Sequence, residues 1–273
     1  MIIFHENCSD GLCAAAITSY ITGDSICIPS PAGKTHELKL PASQFPSEAI
    51  YLVDLSATEE TVAKWESLGY KVTMFDHHEI GPGIRFKETD IHDKTRSGAM
   101  IMYDFWANHR PIRIKDLNRY LVEYVQDRDL WQWKLPNSKE VSAYLSTVEP
   151  TVPAWIEVLI KISIIDAAHL GGILLKKQDQ IVKQHVKKAR FGSHSQTGDY
   201  AQVFATVHQS EIGNMILMNN PNVKVVFIYN GETCSLRANN QFNCAEFCQQ
   251  RGGGGHKNAA GFPCSMVFPE FEI

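Results

Sequence analysis

The sequence predicts an α/β protein in two parts: an N-terminal domain on a largely parallel sheet, then a long helix and linker leading to a smaller α/β domain. Three observations carry that prediction. Apolar runs of strand length alternate with stretches of helical periodicity, each run leads into a polar or acidic residue, and the alternation restarts after a turn-rich segment late in the chain.

The first runs are Ile2 to Phe4 before Ser9 and Asp10, Ala49 to Val53 before Asp54, and Val72 to Phe75 before Asp76. In open parallel sheets ligands bind beyond the carboxyl ends of the strands, so Asp10, Asp54 and Asp76 are expected to converge there. A lone Asp in such a place serves equally well as a helix N-cap. Helical spacing recurs over 97–108, 115–126, 138–146 and 152–160, which makes the middle third helical. A longer helical pattern over 167–190 carries Lys176, Lys177, Lys187 and Lys188, the solvated face of a connecting helix. It stops at the turn formers of 191–198, where the domain boundary is placed. The expected limits are 1–166 for the first domain, 167–197 for the connecting helix and linker, and 198–273 for the second domain. In that last part a strand is expected over 201–207, a helix over 210–219, and strands over 223–229 and 233–238. A short helix over 244–250 then runs into four glycines and His256.

With 273 residues, 44% of them hydrophobic and 21% charged, the chain supports two modest cores, and disordered and fibrous classes are excluded. A net charge of -4 argues against gripping long duplex nucleic acid through a basic face, which needs many Lys and Arg on phosphates. A short anionic substrate is compatible with that charge when bound cations supply the positive field. The seven cysteines form no CxxC pair and are read as reduced. Neither a basic leader nor a long apolar stretch is present, so no membrane association and a cytoplasmic location are expected.

Asp76-His77-His78 emerges from the third run, a carboxylate with two imidazoles suited to manganese, zinc or iron. His5 and Asp10 lie at the first strand end, Asp54 at the second, and Asp127 and Asp129 follow an amphipathic helix. Two divalent ions sharing a bridging carboxylate need such an inventory of oxygen and nitrogen ligands. Gly253, Gly254 and Gly255, with His256 and Asn258 beside them, are expected to form a concave backbone nest for an anion. Arg237, on a predicted strand, has the guanidinium that grips phosphate with two parallel hydrogen bonds.

Taken in order, His5 through Asp10-Gly11, Val53-Asp54-Leu55-Ser56, Asp76-His77-His78 and Asp129 before Leu130-Trp131 resemble the four motifs of the DHH phosphoesterases. Ser235-Leu236-Arg237 with Gly253-Gly254-Gly255-His256, Ala259 and Gly261 resembles the signature of the DHH-associated C-terminal domain. Ser97-Gly98-Ala99 and Trp131-Gln132-Trp133 are most similar to the branch of oligoribonucleases and cyclic-nucleotide phosphodiesterases. The resemblance implies a hydrolase with two manganese ions, for which magnesium or cobalt can stand in. Asp54 would bridge them, Asp10, His77 and the fourth-motif Asp would hold one, and His5 is a candidate for the other. Asp76 would orient His77, His78 would face the scissile phosphate, and the active site would lie in an interdomain cleft closed by the C-terminal domain through His256 and Arg237.

Two departures from the family pattern stand out. Many members carry a second Asp in the first motif, where this chain has Asn7-Cys8-Ser9 before Asp10; Asn7 offers an amide oxygen and Cys8 a thiolate as substitute ligands, although a Cys at such a turn is more often a small apolar residue. Asp127 and Asp129 can each fill the fourth motif, with Asp129 preferred for its place before Leu130-Trp131. The expected function is hydrolysis of short oligonucleotides to nucleoside monophosphates by water that two metals activate. Cyclic nucleotides, cyclic dinucleotides and 3′-phosphoadenosine 5′-phosphate are alternative substrates. A non-catalytic nucleotide-binding protein is the rival of another class, and a homodimer is compatible with the sequence.

Overall fold

In the computed structural model, which describes residues 1–45 and 47–264, the five strands of the N-terminal unit all run parallel. They are β1 (Ile2–His5), β2 (Cys27–Ser30), β3 (Glu48–Val53), β4 (Tyr70–Asp76) and β5 (Ile91–His92), in the order β2-β1-β3-β4-β5. The three apolar runs are β1, β3 and β4. Sequence patterning does not reveal the edge strands: β2 contains Pro29, and β5 has only two residues.

Side chains alternate across the sheet with period two. Ile2 and Phe4 face one core with Val53 and Phe75, while Ile3 faces the other with Leu52 and Met74. The helices are α1 (Ser9–Thr22), α2 (Glu59–Ser67), α3 (Gly98–His109), α4 (Arg119–Asp129), α5 (Ser138–Leu145), α6 (Val152–Lys161) and α7 (Ile164–Val186). The first core takes side chains from α1, α3, α4, α5 and α6, and the second takes Val62 and the fully buried Trp65 of α2. Helix α1 is buried without a break from Asp10 to Thr18, as an all-apolar helix must be. Its Gly11 packs so close to β1 that a Cβ there would lie 2.3 Å from the His5 carbonyl oxygen. That closeness brings Asp10 to the end of β1.

From β1 the chain goes outward to β2, then returns to β3 on the other side of β1. The β1/β3 pair is therefore the topological switch point, where diverging connections leave a crevice.

The chain divides into two compact units within α7, between Leu175 and Lys176. Lys176, Lys177, Lys187 and Lys188 are exposed. The second unit contains β6 (Arg190–His194), β7 (Gly198–Phe204), α8 (Gln209–Asn219), β8 (Val225–Tyr229), β9 (Thr233–Ala238), α9 (Cys244–Gln249), β10 (Gly254–His256) and β11 (Ala259–Pro263). Its sheet, ordered β10-β11-β9-β8-β7-β6, is mixed, with β7 and β8 parallel through α8. Helix α8 packs Ile212 and Ile216 on one face, and α9 packs Phe247 and Cys248 on the other.

Two local expectations are corrected here. Residues 191–198 are not a linker but most of a hairpin, Phe191 pairing with Ala201 and Ser193 with Asp199. Ladder bonds to β7 hold extended a segment whose composition suggests turns. The glycines are not an open nest either, because Gly254 and Gly255 with His256 form β10 against β11. A Cβ on Gly253 would lie 2.0 Å from the Gly261 carbonyl oxygen, so close backbone approach accounts for that glycine. Among the described residues the cysteines form no disulfide. Among the described residues no single helix is long and apolar enough to cross a membrane.

Candidate metal centre

β1, β3 and β4 end side by side and deliver His5, Asp54 and the Asp76-His77-His78 segment. Asp54, fully buried, leaves β3 with φ +56, a left-handed conformation that Asp tolerates better than most residues. Its two carboxylate oxygens face different imidazoles: Oδ1 lies 3.1 Å from His77 Nε2, and Oδ2 lies 3.3 Å from His5 Nδ1. His77, 2% exposed, gathers two further acids, with Nε2 3.5 Å from Asp129 Oδ2 and 3.6 Å from Asp10 Oδ2.

Asp10 is gripped from the side by the N-terminus of α3. Gly98 N–H donates to its Oδ2 at 2.6 Å and Ala99 N–H to its Oδ1 at 3.0 Å, the charge arrangement that a helix N-terminus favours. Ser97 caps the same helix by accepting from Met100 N–H. Sequence reading takes Ser97-Gly98-Ala99 only as a branch marker. A Ser N-cap followed by Gly was the available signal.

Asp76 engages His78, which corrects the expectation that it orients the His77 ring. Its Oδ1 lies 2.7 Å from His78 Nδ1 and accepts the backbone N–H of His77 and His78 at 2.8 and 3.3 Å. The His77 ring turns instead toward Asp54. His92 on β5 donates to the His78 carbonyl oxygen at 2.7 Å and fixes the segment from its far side.

Asp127 and Asp129 part ways. The buried Asp127 accepts Lys134 N–H at 2.9 Å, Leu135 N–H at 3.3 Å and the Ser138 hydroxyl at 2.5 Å. Its carboxylate is committed to the loop after α4, and Asp129 is the one that meets His77. That loop presents Trp131 and Trp133, both half-buried and both with positive φ, +55 and +53. Their rings meet edge to face at 5.0 Å, with the Arg128 guanidinium 4.5 Å from the Trp131 ring.

No protein-family model matches the chain. An uncharacterized protein of Acanthamoeba polyphaga mimivirus is 24% identical over 293 residues, spanning 98% of this chain and 68% of that protein. Among similar solved structures, a DHH domain from a member of a family of ribosomal proteins has 15% identity and a TM-score of 0.62, over 95% of this chain and 81% of that one. The chain has the DHH-domain fold. The pGpG-specific phosphodiesterase PggH of Vibrio cholerae shares the DHH architecture at 13% identity and a TM-score of 0.54, over 97% and 93% of the two chains. Manganese-bound RecJ of Thermus thermophilus does so at 14% and 0.55, over 96% of this chain and 49% of RecJ.

The electrostatics of this site suit a cation. Burial, with the Asp54 and Asp129 charges, raises the Asp10 carboxyl well above its usual range. Burial would raise Asp54 too, but hydrogen bonds with His5 and His77 hold it well below. Burial opposes charge on the imidazoles, yet Asp54 and Asp10 lift His77 to about 9, and Asp76 and Asp54 lift His78 to about 10. Asp129 keeps 22% of its side-chain surface, but its Oδ2 is sealed from solvent and accepts no hydrogen bond. Three carboxylates around one imidazole nitrogen leave buried negative charge that a divalent ion would neutralise.

The groups whose donor atoms lie within 4.8 Å of one another include Asp10, His77 and Asp129, His5, Cys8 and Asp54, and Asp54, Asp76 and His78. Asp54 faces the first two, and the inventory fits a bridged pair of ions. Cys8 is the residue that sequence reading mentions only as a substitute. Asn7, at the turn before it, is exposed with φ +54.

The expected substrate-binding residues lie in the second unit. Arg237 on β9 donates through Nε and Nη2 to Ser210 Oγ at 3.2 and 2.8 Å, and through Nη1 to the Leu236 carbonyl oxygen at 2.8 Å. Gly213 of α8 leaves room for its stem, since a Cβ there would lie 2.6 Å from Arg237 Cγ. Asn258 donates to Asn240 Oδ1 at 3.1 Å. Gly254, Gly255 and His256 lie on β10, with β11 close against Gly253 and Gly255, whereas a Cβ on Gly254 would meet nothing within 4 Å.

Proposed function

We propose that the protein is a divalent-metal-dependent phosphodiesterase that hydrolyses short oligonucleotides to nucleoside monophosphates. The observation that carries the reading is the convergence of Asp10, Asp54 and Asp129 on His77 Nε2, within 3.6 Å, at the carboxyl ends of parallel strands. Two proteins that share the fold are, by name, a pGpG phosphodiesterase and a manganese-bound exonuclease, which supports phosphodiester chemistry.

Asp54 would bridge two cations, with Asp10, His77 and Asp129 around one and His5 beside the other; manganese suits this donor set, and magnesium or cobalt can substitute. Bound there, divalent ions supply Lewis acidity toward a phosphoryl oxygen and lower the pKa of an attacking water. The chain's own residues do the positioning. The α3 N–H groups hold Asp10 in place, and Asp76 holds His78 Nδ1, so the two sides of the centre are pre-set before substrate arrives. His78, lifted to about 10 by Asp76 and Asp54 against its burial, would present a hydrogen-bond donor to the scissile phosphate.

A nucleobase-bearing substrate is supported by Trp131 and Trp133. They stand two and four residues beyond Asp129, half-exposed, on a loop that Asp127 pins. Indole faces stack bases with little sequence preference.

The test is hydrolysis of di- to pentaribonucleotides, a longer strand, cyclic mononucleotides, a cyclic dinucleotide and 3′-phosphoadenosine 5′-phosphate, each with manganese and with chelator. Manganese-dependent release of monophosphates, fastest from the shortest oligomers, is expected. Exclusive cleavage of a cyclic nucleotide or of 3′-phosphoadenosine 5′-phosphate would refute the oligonucleotide substrate, and no cleavage with metal bound would refute the activity.

A further inference from the structure

We propose that Cys8 is a metal ligand, its thiolate joining His5 and Asp54 in a sulfur, nitrogen and oxygen site that prefers zinc or cobalt to magnesium. The inference rests on the metal centre proposed above and specifies its second position.

Cys8 stands at the N-cap of α1 in an extended conformation, where Ser, Thr, Asp or Asn would ordinarily satisfy a helix N–H. Its side chain makes no full capping bond, though the Gly11 N–H of the first turn interacts with the sulfur. Its carbonyl oxygen accepts Leu12 N–H at 3.0 Å. The sulfur also gathers with a His5 ring nitrogen and an Asp54 oxygen, each within 4.8 Å of the others.

The His5–Asp54 separation suits a shared ion, and the sulfur lies within 4.8 Å of both. Two ligands about 2.05 Å from a tetrahedral zinc lie ~3.3 Å apart, and a thiolate at about 2.3 Å lies ~3.6 Å from an imidazole nitrogen. His5 Nδ1 and Asp54 Oδ2 are 3.3 Å apart. Among the described residues the other cysteines offer no such set: Cys13 and Cys27 pack with the first core of the N-terminal unit, and Cys234, Cys244, Cys248 and Cys264 with the core beneath α9.

The two positions would then differ in kind. Asp10, His77 and Asp129 present oxygens and one imidazole, the set that suits manganese or magnesium, whereas a thiolate with an imidazole suits zinc or cobalt. Asp54, which faces both groups, would bridge unlike ions. On coordination the S–H bond is replaced by a sulfur–metal bond and the proton passes to solvent.

Cobalt titration of the full chain tests this by spectroscopy as well as by metal content. The wild type is expected to bind two cobalt ions per chain and to develop a near-ultraviolet sulfur-to-cobalt charge-transfer band. C8S should lose that band, and C8D should bind cobalt without it and shift competition from zinc toward manganese, so that a misfolded C8S leaves C8D to decide. Two bound cobalt ions without the band, or a band that persists in both folded variants, overturns the Cys8 assignment while leaving the metal centre standing. A wild type that binds no cobalt, manganese or zinc overturns both.

Discussion

Gly98→Ala should damage the metal centre without altering any ligand. The added Cβ would lie 2.6 Å from Asp54 Cβ, 2.9 Å from Asp54 Cα and 3.0 Å from Asp10 Oδ2. Carbon atoms settle at about 3.5–4.0 Å, so a gap of roughly 1 Å must open. Asp54 cannot readily supply it, because its N–H is bonded to the Phe75 carbonyl oxygen at 2.8 Å and its backbone already sits at positive φ. The α3 N-terminus must retreat, and it carries the Gly98 and Ala99 N–H groups that hold Asp10. Hydrogen bonds to a charged group contribute about 1.5–3 kcal/mol each, and overpacking costs about 1–3 kcal/mol. Losing groups that orient a ligand typically lowers metal affinity about 10–100-fold. Calorimetric manganese titration and chelator-treated thermal melts read the two effects separately. Gly172→Ala in α7 is the control: its Cβ would meet Glu140 Cγ at an ordinary 3.8 Å, and the helix should gain roughly 0.5–1 kcal/mol. Wild-type manganese affinity in Gly98→Ala would refute the argument.

Asp54→Ala should remove metal and abolish turnover in a folded chain, and full metal content by elemental analysis would count against the bridge. Asp127→Ala leaves Lys134 N–H, Leu135 N–H and Ser138 without their acceptor. It should cost about 1–3 kcal/mol in denaturant titration and raise KM for a dinucleotide while metal content is unchanged. Trp131→Ala should weaken dinucleotide binding by ~1–3 kcal/mol, the value of one stacked base, and spare hydrolysis of a base-free phosphodiester; equal losses on both substrates would remove the stacking role. The Asp76–His78 pair gives chelator-treated protein a stability window. Asp76, held at about 2 against an ordinary 3.8 by His78 despite its burial, contributes stability above 3.8 that is lost as pH falls toward 2. His78, lifted from 6.5 to about 10, contributes fully below 6.5, and that contribution is lost as pH rises through 10. Denaturant midpoints should fall on both sides of the window, and an alkaline limb that survives His78→Ala would assign it elsewhere.

The fold class was legible because strand and helix periodicities are local properties of the chain. β1, β3 and β4 show as apolar runs, and α3, α5, α6, α8 and α9 as patterns whose ends fall close to the observed ones. The acids at the strand ends were legible for the same reason, since a parallel sheet places all its carboxyl ends at one edge. Segments whose conformation comes from a distant partner were not. β6 is extended because β7 holds it, and Gly253 and Gly255 are there because β11 approaches them.

The site shows the same division more sharply. Asp127 and Asp129 are separated by about 200° around a helix, and nothing local says which of the two turns toward His77. Strand order and the phase of α4 decide it. The grip of Gly98 and Ala99 on Asp10 joins residues 88 and 89 positions apart. Asp76 takes the His78 ring, while the His77 ring meets Asp54 on the neighbouring strand end. Residue types and their order are properties of the sequence alone, but which donor atoms share a few ångströms depends on contacts between elements far apart in the chain.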